Sequence, residues 1–196
     1  MLDDNVKNLA VEWCAGDDPN NIPKDYYCAD RGEFGARIDN LSADLKSDTK
    51  MEEGDVYMIA AMAGEIGNNS FDHNIGNWPD APGIFFGWSI DNNGARIVMA
   101  DRGQGIMKTL RKVKPEISNH QEALKVAFFE KISGRAPENR GNGLKFVREG
   151  IKQMKIHLVF VSGDARAEIN QEFKIGAANE NIRGCLAIIE IKRDEN

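Results

Sequence analysis

Two apolar segments, at residues 83–91 and 96–101, are separated by Asn92-Asn93-Gly94. An Asn-Gly step between apolar segments is the strongest short-range signal for a β-hairpin, which joins neighbouring antiparallel strands. A doubly wound parallel fold needs a crossover helix between most strands, and a hairpin contradicts that arrangement. The sequence therefore predicts an α+β fold, a two-layer sandwich in which a mixed, mostly antiparallel sheet carries helices on one face.

Hydrophobic periodicity locates further elements on both sides of this hairpin. Apolar residues at helical spacing predict helices near residues 6–13, 34–45, 56–73, 109–133 (with a break near Pro115) and 144–154. Apolar and β-branched runs predict strands at residues 156–162, around 167–175, and at 185–192. We interpret residues 1–55 as a helical extension that packs on or leads into a main domain of residues 56–196.

Composition narrows the class of protein. The 196-residue chain is long enough for one well-packed domain, and its net charge of −6 argues against a nucleic-acid partner. The acidic residues 1–4 are not typical of a signal peptide, and no apolar run approaches the ~20 residues that span a bilayer. Cys14, Cys28 and Cys185 have no metal-ligand spacing, which indicates reduced thiols. We therefore expect a cytoplasmic protein without a membrane or nucleic-acid partner.

The first group of candidate site residues lies on the helix predicted at residues 56–73. Glu65, Asn69 and His73 are each four positions apart, so they share one helical face. Three polar side chains on one helical face are costly to bury without a partner, so this face either is solvated or contacts a ligand. An ordinary exposed stripe remains an equally good interpretation of these residues alone.

The second group follows the strand at residues 96–101. Asp101 can accept a hydrogen bond from an amine, and Gly103 and Gly105 allow a sharp turn and a close approach to a ligand. A tight strand-to-helix turn is the alternative interpretation.

The third group, Gly141-Asn142-Gly143-Leu144, opens the last predicted helix. Backbone amides at a helix N-terminus favour anions, and the preceding loop, residues 133–143, adds Arg135 and Arg140. A solvated loop is the alternative.

The order and spacing of the three groups are more specific than any one of them. Together they resemble the N, G1 and G2 boxes of the GHKL superfamily (gyrase, Hsp90, histidine kinases and MutL) over about residues 56–193. ExxxNxxxH corresponds to Glu65, Asn69 and His73, DxGxG begins at Asp101, and GxGL begins at Gly141. No Walker A sequence occurs in the chain, which disfavours a P-loop enzyme.

The resemblance implies the Bergerat ATP-binding fold, with ATP and Mg²⁺ as ligands. Glu65 is implied as the general base, Asn69 as a Mg²⁺ ligand and Asp101 as the acceptor of the adenine amino group. Residues 133–143 are implied to form a lid over the phosphates. The implied nucleotide-binding set is Asn69, His73, Asp101, Gly103, Gly105, Ile106, Arg140, Gly141, Asn142, Gly143, Leu144 and Cys185.

One position departs from the family pattern. Many members carry a Gly-Thr pair near the last strand, where the hydroxyl supports the base-binding Asp, and here the match is Gly184-Cys185. A thiol is a weaker hydrogen-bond donor, which predicts a lower affinity or a shifted alignment. Packing is a more common role for such a cysteine than redox sensing.

Two hypotheses on function follow from the resemblance. The chain is too short for the transducer domains of gyrase, MutL or Hsp90, and its first histidine, His73, lies inside the N box. Stand-alone anti-sigma-factor serine kinases have a similar Glu-to-His spacing. We expect either a kinase that phosphorylates a small STAS-like or response-regulator-like partner on Ser, Thr or His, or a nucleotide-gated module that sequesters its partner. A homodimer is compatible with both.

Overall fold

The computed structural model describes residues 3–49, 51–130 and 142–193. They form six helices and five strands, with a short 3-10 turn at Lys24–Tyr26. The helices are α1 (Asn5–Ala15), α2 (Arg31–Thr49), α3 (Glu53–Asn74), α4 (Gly105–Arg111), α5 (His120–Phe129) and α6 (Gly143–Met154). The strands are β1 (Tyr27–Cys28), β2 (Ile84–Asp91), β3 (Gly94–Asp101), β4 (His157–Ile169) and β5 (Phe173–Lys192). Within these described ranges, no helix is both long enough and apolar enough to pass through a bilayer.

The five strands form one sheet in the order β1-β2-β3-β5-β4, and every neighbouring pair is antiparallel. This confirms the α+β class, but the prediction of a mixed sheet is wrong. β3 and β4 run in the same direction because both are antiparallel to β5. The helical connection between them creates no parallel neighbours, since β5 lies between the two strands.

The predicted hairpin at residues 83–101 is confirmed. β2 pairs with β3 from Ile84 opposite Asp101 to Asp91 opposite Gly94, which leaves Asn92 and Asn93 as the loop. The Asp91 side chain accepts a hydrogen bond of 2.6 Å from the Asn93 amide and so closes the turn. This register brings the end of β3 beside the start of β2.

The strand predicted around residues 167–175 is wrong. The chain turns at Asn170, so that Ala167 on β4 lies opposite Ile175 on β5. The Asn170 side chain accepts a 2.8 Å hydrogen bond from the Glu172 amide, while the Asn170 amide donates to the Glu172 carbonyl. An Asn that bonds the backbone two residues ahead favours a turn over a continuous strand.

Helices lie on both faces of the sheet, so the expectation of helices on one face is wrong. On one face of the sheet, which we call the front, Ile97 and Met99 of β3 share a core with helices α2, α3, α5 and α6. α1 packs on the back, against Val98 and Ala100. β3 carries apolar side chains on both faces of the sheet, so both faces must be buried under helices. α2, which belongs to the expected extension, shares the front core, and the division at residue 55 stays a prediction.

Candidate functional site

A pocket opens between the C-terminal half of α3, the end of β3 and the starts of α4 and α6. The space inside it is about 450 Å³ when the open solvent at its mouth is counted. Seven of the residues singled out in the sequence line it, and they come from all three motifs and from β5: Asn69, His73, Asp101, Gly105, Ile106, Leu144 and Cys185.

Asp101 is the buried polar centre of this pocket, with 1% of its surface exposed. One carboxylate oxygen accepts a hydrogen bond from the Ser70 hydroxyl and the other from the Gly103 amide, both at 2.7 Å. Burial raises the pKa of the Asp101 carboxyl from its ordinary value of 3.8 to about 6, against the opposing effect of these bonds and one from the Cys185 backbone. Asp101 is therefore mostly ionised at neutral pH and offers a strong acceptor.

The two glycines of the DxGxG motif are required by the path of the chain. A side chain at Gly103 would overlap the amide of Asn74, whose nitrogen lies 2.1 Å from the position of the added Cβ. Gly105 has a φ of +72°, in the left-handed region that favours glycine. The Asn74 oxygen accepts a 2.8 Å hydrogen bond from the Gln104 amide, so α3 holds this turn directly.

The start of α6 lies against the polar face of α3. A Cβ added at Gly143 would be 2.5 Å from a Glu65 carboxylate oxygen and 3.4 Å from the Asn69 amide nitrogen. The exposed N-cap residue, Asn142, makes no side-chain capping bond within the described part of the chain. Because the first backbone amides of a helix have no intrahelical partners, this end of α6 can bind an anion.

The residues of the ExxxNxxxH motif divide between the pocket and its rim. Asn69 and His73 line the pocket and are half-buried, whereas Glu65 is exposed one turn earlier, beside Gly143. The His73 carbonyl also accepts a 2.8 Å bond from the Gln104 side chain. Glu65 and Asn69 thus face the start of α6, and His73 lines the pocket one turn further along α3.

Part of the expected anion site lies outside the described residues. Arg135, Arg140 and Gly141 belong to the range 131–141, and so does most of the expected lid at residues 133–143. Of the GxGL motif, the structure describes Asn142, Gly143 and Leu144, and Leu144 lines the pocket.

Cys185 lines the pocket next to a serine. Its sulfur lies 3.7 Å from the Ser162 hydroxyl, which donates to the Gly184 carbonyl at 2.8 Å and accepts from the Ile106 amide at 3.0 Å. Burial raises the pKa of the Cys185 thiol well above its ordinary value, so the thiol is neutral at physiological pH. The packing role expected for Cys185 stays a prediction.

Sequence reasoning missed Ser70, which supplies a hydroxyl to Asp101. Ser70 directly follows Asn69 in the ExxxNxxxH motif, and its spacing alone does not distinguish it from a serine on the surface of α3. Only the packing of α3 against the end of β3 brings the two side chains together.

Ser70→Ala is expected to raise the pKa of Asp101 above about 6. The lost hydrogen bond to a charged acceptor is worth about 1.5–3 kcal/mol, which corresponds to about one to two pKa units. An NMR titration of the Asp101 carboxyl carbon measures the change. Ser162→Ala, which removes a pocket hydroxyl bonded to other partners, is the matched control, and an equal titration in all three proteins would refute the role of Ser70.

No protein-family model matches this chain, and no curated protein matches it significantly. The GHKL resemblance therefore depends on the three motifs and on the pocket that they share.

Proposed function

We propose that this chain is a Mg²⁺-dependent ATP-binding domain of the GHKL type, with the Bergerat fold, that phosphorylates a partner protein. The observation that carries the proposal is the convergence of three motifs, far apart in sequence, on one pocket with Asp101 at its base. Unrelated surface motifs have no physical reason to meet in this way. The partner is a small STAS-like or response-regulator-like protein with a Ser, Thr or His acceptor.

The chemistry of the pocket lining suits an adenine base. Ile66, Ile106 and Leu144 provide apolar walls, and Asp101 provides one ionised acceptor within them. The Asp101 carboxylate already accepts bonds from Ser70, from the Gly103 amide and from the Cys185 backbone, which fixes its plane, and of its four lone-pair sites one is left for a ligand. An exocyclic amino group is a donor, whereas the carbonyl at the equivalent position of guanine is an acceptor. Asp101 therefore selects adenine over guanine.

The opposite end of the pocket fits a phosphate chain with its metal. The N-terminus of α6, where the Asn142 side chain makes no capping bond to the described residues, favours negative charge, and the Asn69 amide supplies an oxygen of the kind that Mg²⁺ prefers. When bound, the metal neutralises charge on the phosphates during transfer. Glu65 is exposed at this end, where it can accept the proton of an incoming hydroxyl and orient that group for attack.

Asp101→Asn is expected to weaken ATP binding about tenfold or more, because a lost charged hydrogen bond costs about 1.5–3 kcal/mol. Calorimetry with Mg-ATP and Mg-GTP measures the effect, and the wild type should prefer ATP. Asp39→Asn, the same change at an exposed site on α2, is the control. Equal affinity of the wild type for ATP and GTP would contradict the assigned role of Asp101.

The same group predicts opposite pH dependences for binding and stability. ATP affinity should fall as the pH falls through about 6, because Asp101 gains a proton and loses acceptor strength. For stability, the folded pKa lies above the unfolded value of 3.8, so the contribution of Asp101 is greatest below about pH 4 and is lost as the pH rises through 6. Calorimetric titrations and urea unfolding across this range separate the two effects.

Transfer of phosphate to a partner is tested with radiolabelled ATP. The purified chain is incubated with the small protein encoded beside it, and label is followed into protein and into free phosphate. Label in a partner Ser, Thr or His supports the kinase.

A further inference from the structure

Arg102, inside the DxGxG motif, is wholly buried, with 0% of its side chain exposed. A buried guanidinium is costly unless its charge and its donors are satisfied. Here it forms a bidentate ion pair with Asp80, with nitrogen–oxygen distances from 2.6 to 3.1 Å. Its remaining terminal nitrogen donates to the backbone carbonyls of Trp13 and Gly16, at 2.5 and 2.8 Å.

The two carbonyls belong to the C-terminal end of α1. The last carbonyls of a helix have no intrahelical partners, and a positive charge there interacts favourably with the helix dipole. Arg102 therefore caps α1, and α1 is the helix that covers the back of the sheet. Trp13, which is fully buried, fixes that end of α1 against the sheet.

Arg102 directly follows Asp101, the centre of the pocket. Because consecutive residues of a strand point to opposite faces, Asp101 reaches the pocket while Arg102 reaches α1. Gly103, which donates to the Asp101 carboxylate, follows at once. The backbone that positions the Asp101 carboxylate is thus fixed from behind by Arg102.

Asp80 extends the same anchor to the neighbouring strand. Its carboxylate also lies 3.9 Å from the guanidinium of Arg183, the residue before Gly184 on β5. A Cβ at Gly184 would be 2.4 Å from an Asp101 carboxylate oxygen, so this part of β5 forms the side wall of the Asp101 site.

We propose that Arg102 is a positioning residue for the nucleotide site and couples the docking of the C-terminal end of α1 on the back of the sheet to nucleotide binding on the front. The inference rests on the proposed function for its ligand, while the residues that carry it are separate from those that contact the nucleotide. Linkage makes the coupling reciprocal: the docked C-terminal end of α1 raises nucleotide affinity, and bound nucleotide holds that end in place by the same factor.

The chain offers a matched control at the other end of β3. Arg96 is 6% exposed, pairs with Glu190 at 2.8 Å and anchors the start of α1 through Asp3 and Asp4. It lies five residues from Asp101, or about 17 Å along the strand. Arg102→Lys is therefore compared with Arg96→Lys, and the milder Asp80→Asn with Glu190→Gln.

Calorimetry with Mg-ATP provides the first measurement. Arg102→Lys and Asp80→Asn should each lose about tenfold in affinity, within the usual range for coupled sites. The two controls should bind as the wild type does, even where they lose as much thermal stability. Equal losses in both pairs, or no loss in either, would overturn the inference.

Hydrogen exchange of the α1 amides tests reciprocity. Mg-ATP should slow exchange at residues 10–15 of the wild type and of Arg96→Lys by a similar factor, and should have little effect in Arg102→Lys. Slowing that is the same in all three proteins would overturn the coupling.

An NMR titration of Asp101 without nucleotide separates this inference from the proposed function. Arg102→Lys should shift the pKa of Asp101, and Arg96→Lys should leave it unchanged. If the wild type binds no ATP, the proposed function fails, and the titration decides the positioning role. A shift confined to Arg102→Lys supports that role, and unchanged pKa values overturn it.

Discussion

Asn69→Ala is expected to abolish the Mg²⁺-dependent part of ATP binding and to leave the fold intact. Asn69 lines the pocket one turn from Glu65, and its side chain lies close to Gly143 at the start of α6. Its amide oxygen is the protein ligand proposed for the metal, and loss of such a contact to a charged group costs about 1.5–3 kcal/mol, or about tenfold and more in affinity. Alanine is the best helix former, so α3 itself should persist.

The measurement is calorimetry with ATP in the presence of Mg²⁺ and of a chelator. The wild type should bind more tightly with Mg²⁺, whereas Asn69→Ala should show the same weak affinity in both conditions. Asn68→Ala removes the same amide from the exposed neighbouring position and should behave as the wild type. Wild-type affinity in Asn69→Ala with Mg²⁺ would show that the assignment is wrong.

The parts of this molecule that the sequence predicts are governed by local chemistry. Asn92 and Asn93 favour a short turn between two apolar strands, and this local preference predicted the hairpin. The four-residue spacing of Glu65, Asn69 and His73 fixes their common helical face wherever α3 packs. Each of these patterns depends only on residues that are close in sequence, so contacts between distant parts of the chain do not change the structure that it predicts.

The features that the sequence did not predict depend on contacts between distant residues. Ser70 and Asp101 are 31 positions apart, and Arg102 and Trp13 are 89 positions apart. Neither spacing carries a local pattern that links the partners. The position of α1 on the back of the sheet follows from the burial of both faces of β3. The unbroken apolar run at residues 97–100 is compatible with that burial, but it does not specify which helix covers each face.

Glu65 distinguishes an enzyme from a nucleotide-gated binding module. Its carboxylate is exposed beside the start of α6, and Glu65 does not line the pocket around Asp101. Glu65→Ala should therefore leave ADP and ATP affinities nearly unchanged. A general base contributes typically about 10²–10⁴-fold to the rate, so turnover to water or to a partner hydroxyl should fall by that factor.

The expected loss is too large to be a stability effect. Removing a carboxylate from a helix N-terminus costs about 0.3–1 kcal/mol, whereas a rate loss of 10²–10⁴ corresponds to about 2.7–5.4 kcal/mol of transition-state stabilisation. Glu52 is the exposed N-cap of α3, the helix that carries Glu65. Glu52→Ala therefore controls for the lost charge and should turn over normally. Undiminished turnover in Glu65→Ala would assign the base elsewhere. If the wild type binds ATP but neither hydrolyses nor transfers it with any partner, the kinase proposal fails and the nucleotide-gated module replaces it. The roles proposed for Asp101 and Asn69 concern binding alone, whereas the role proposed for Glu65 requires a reaction.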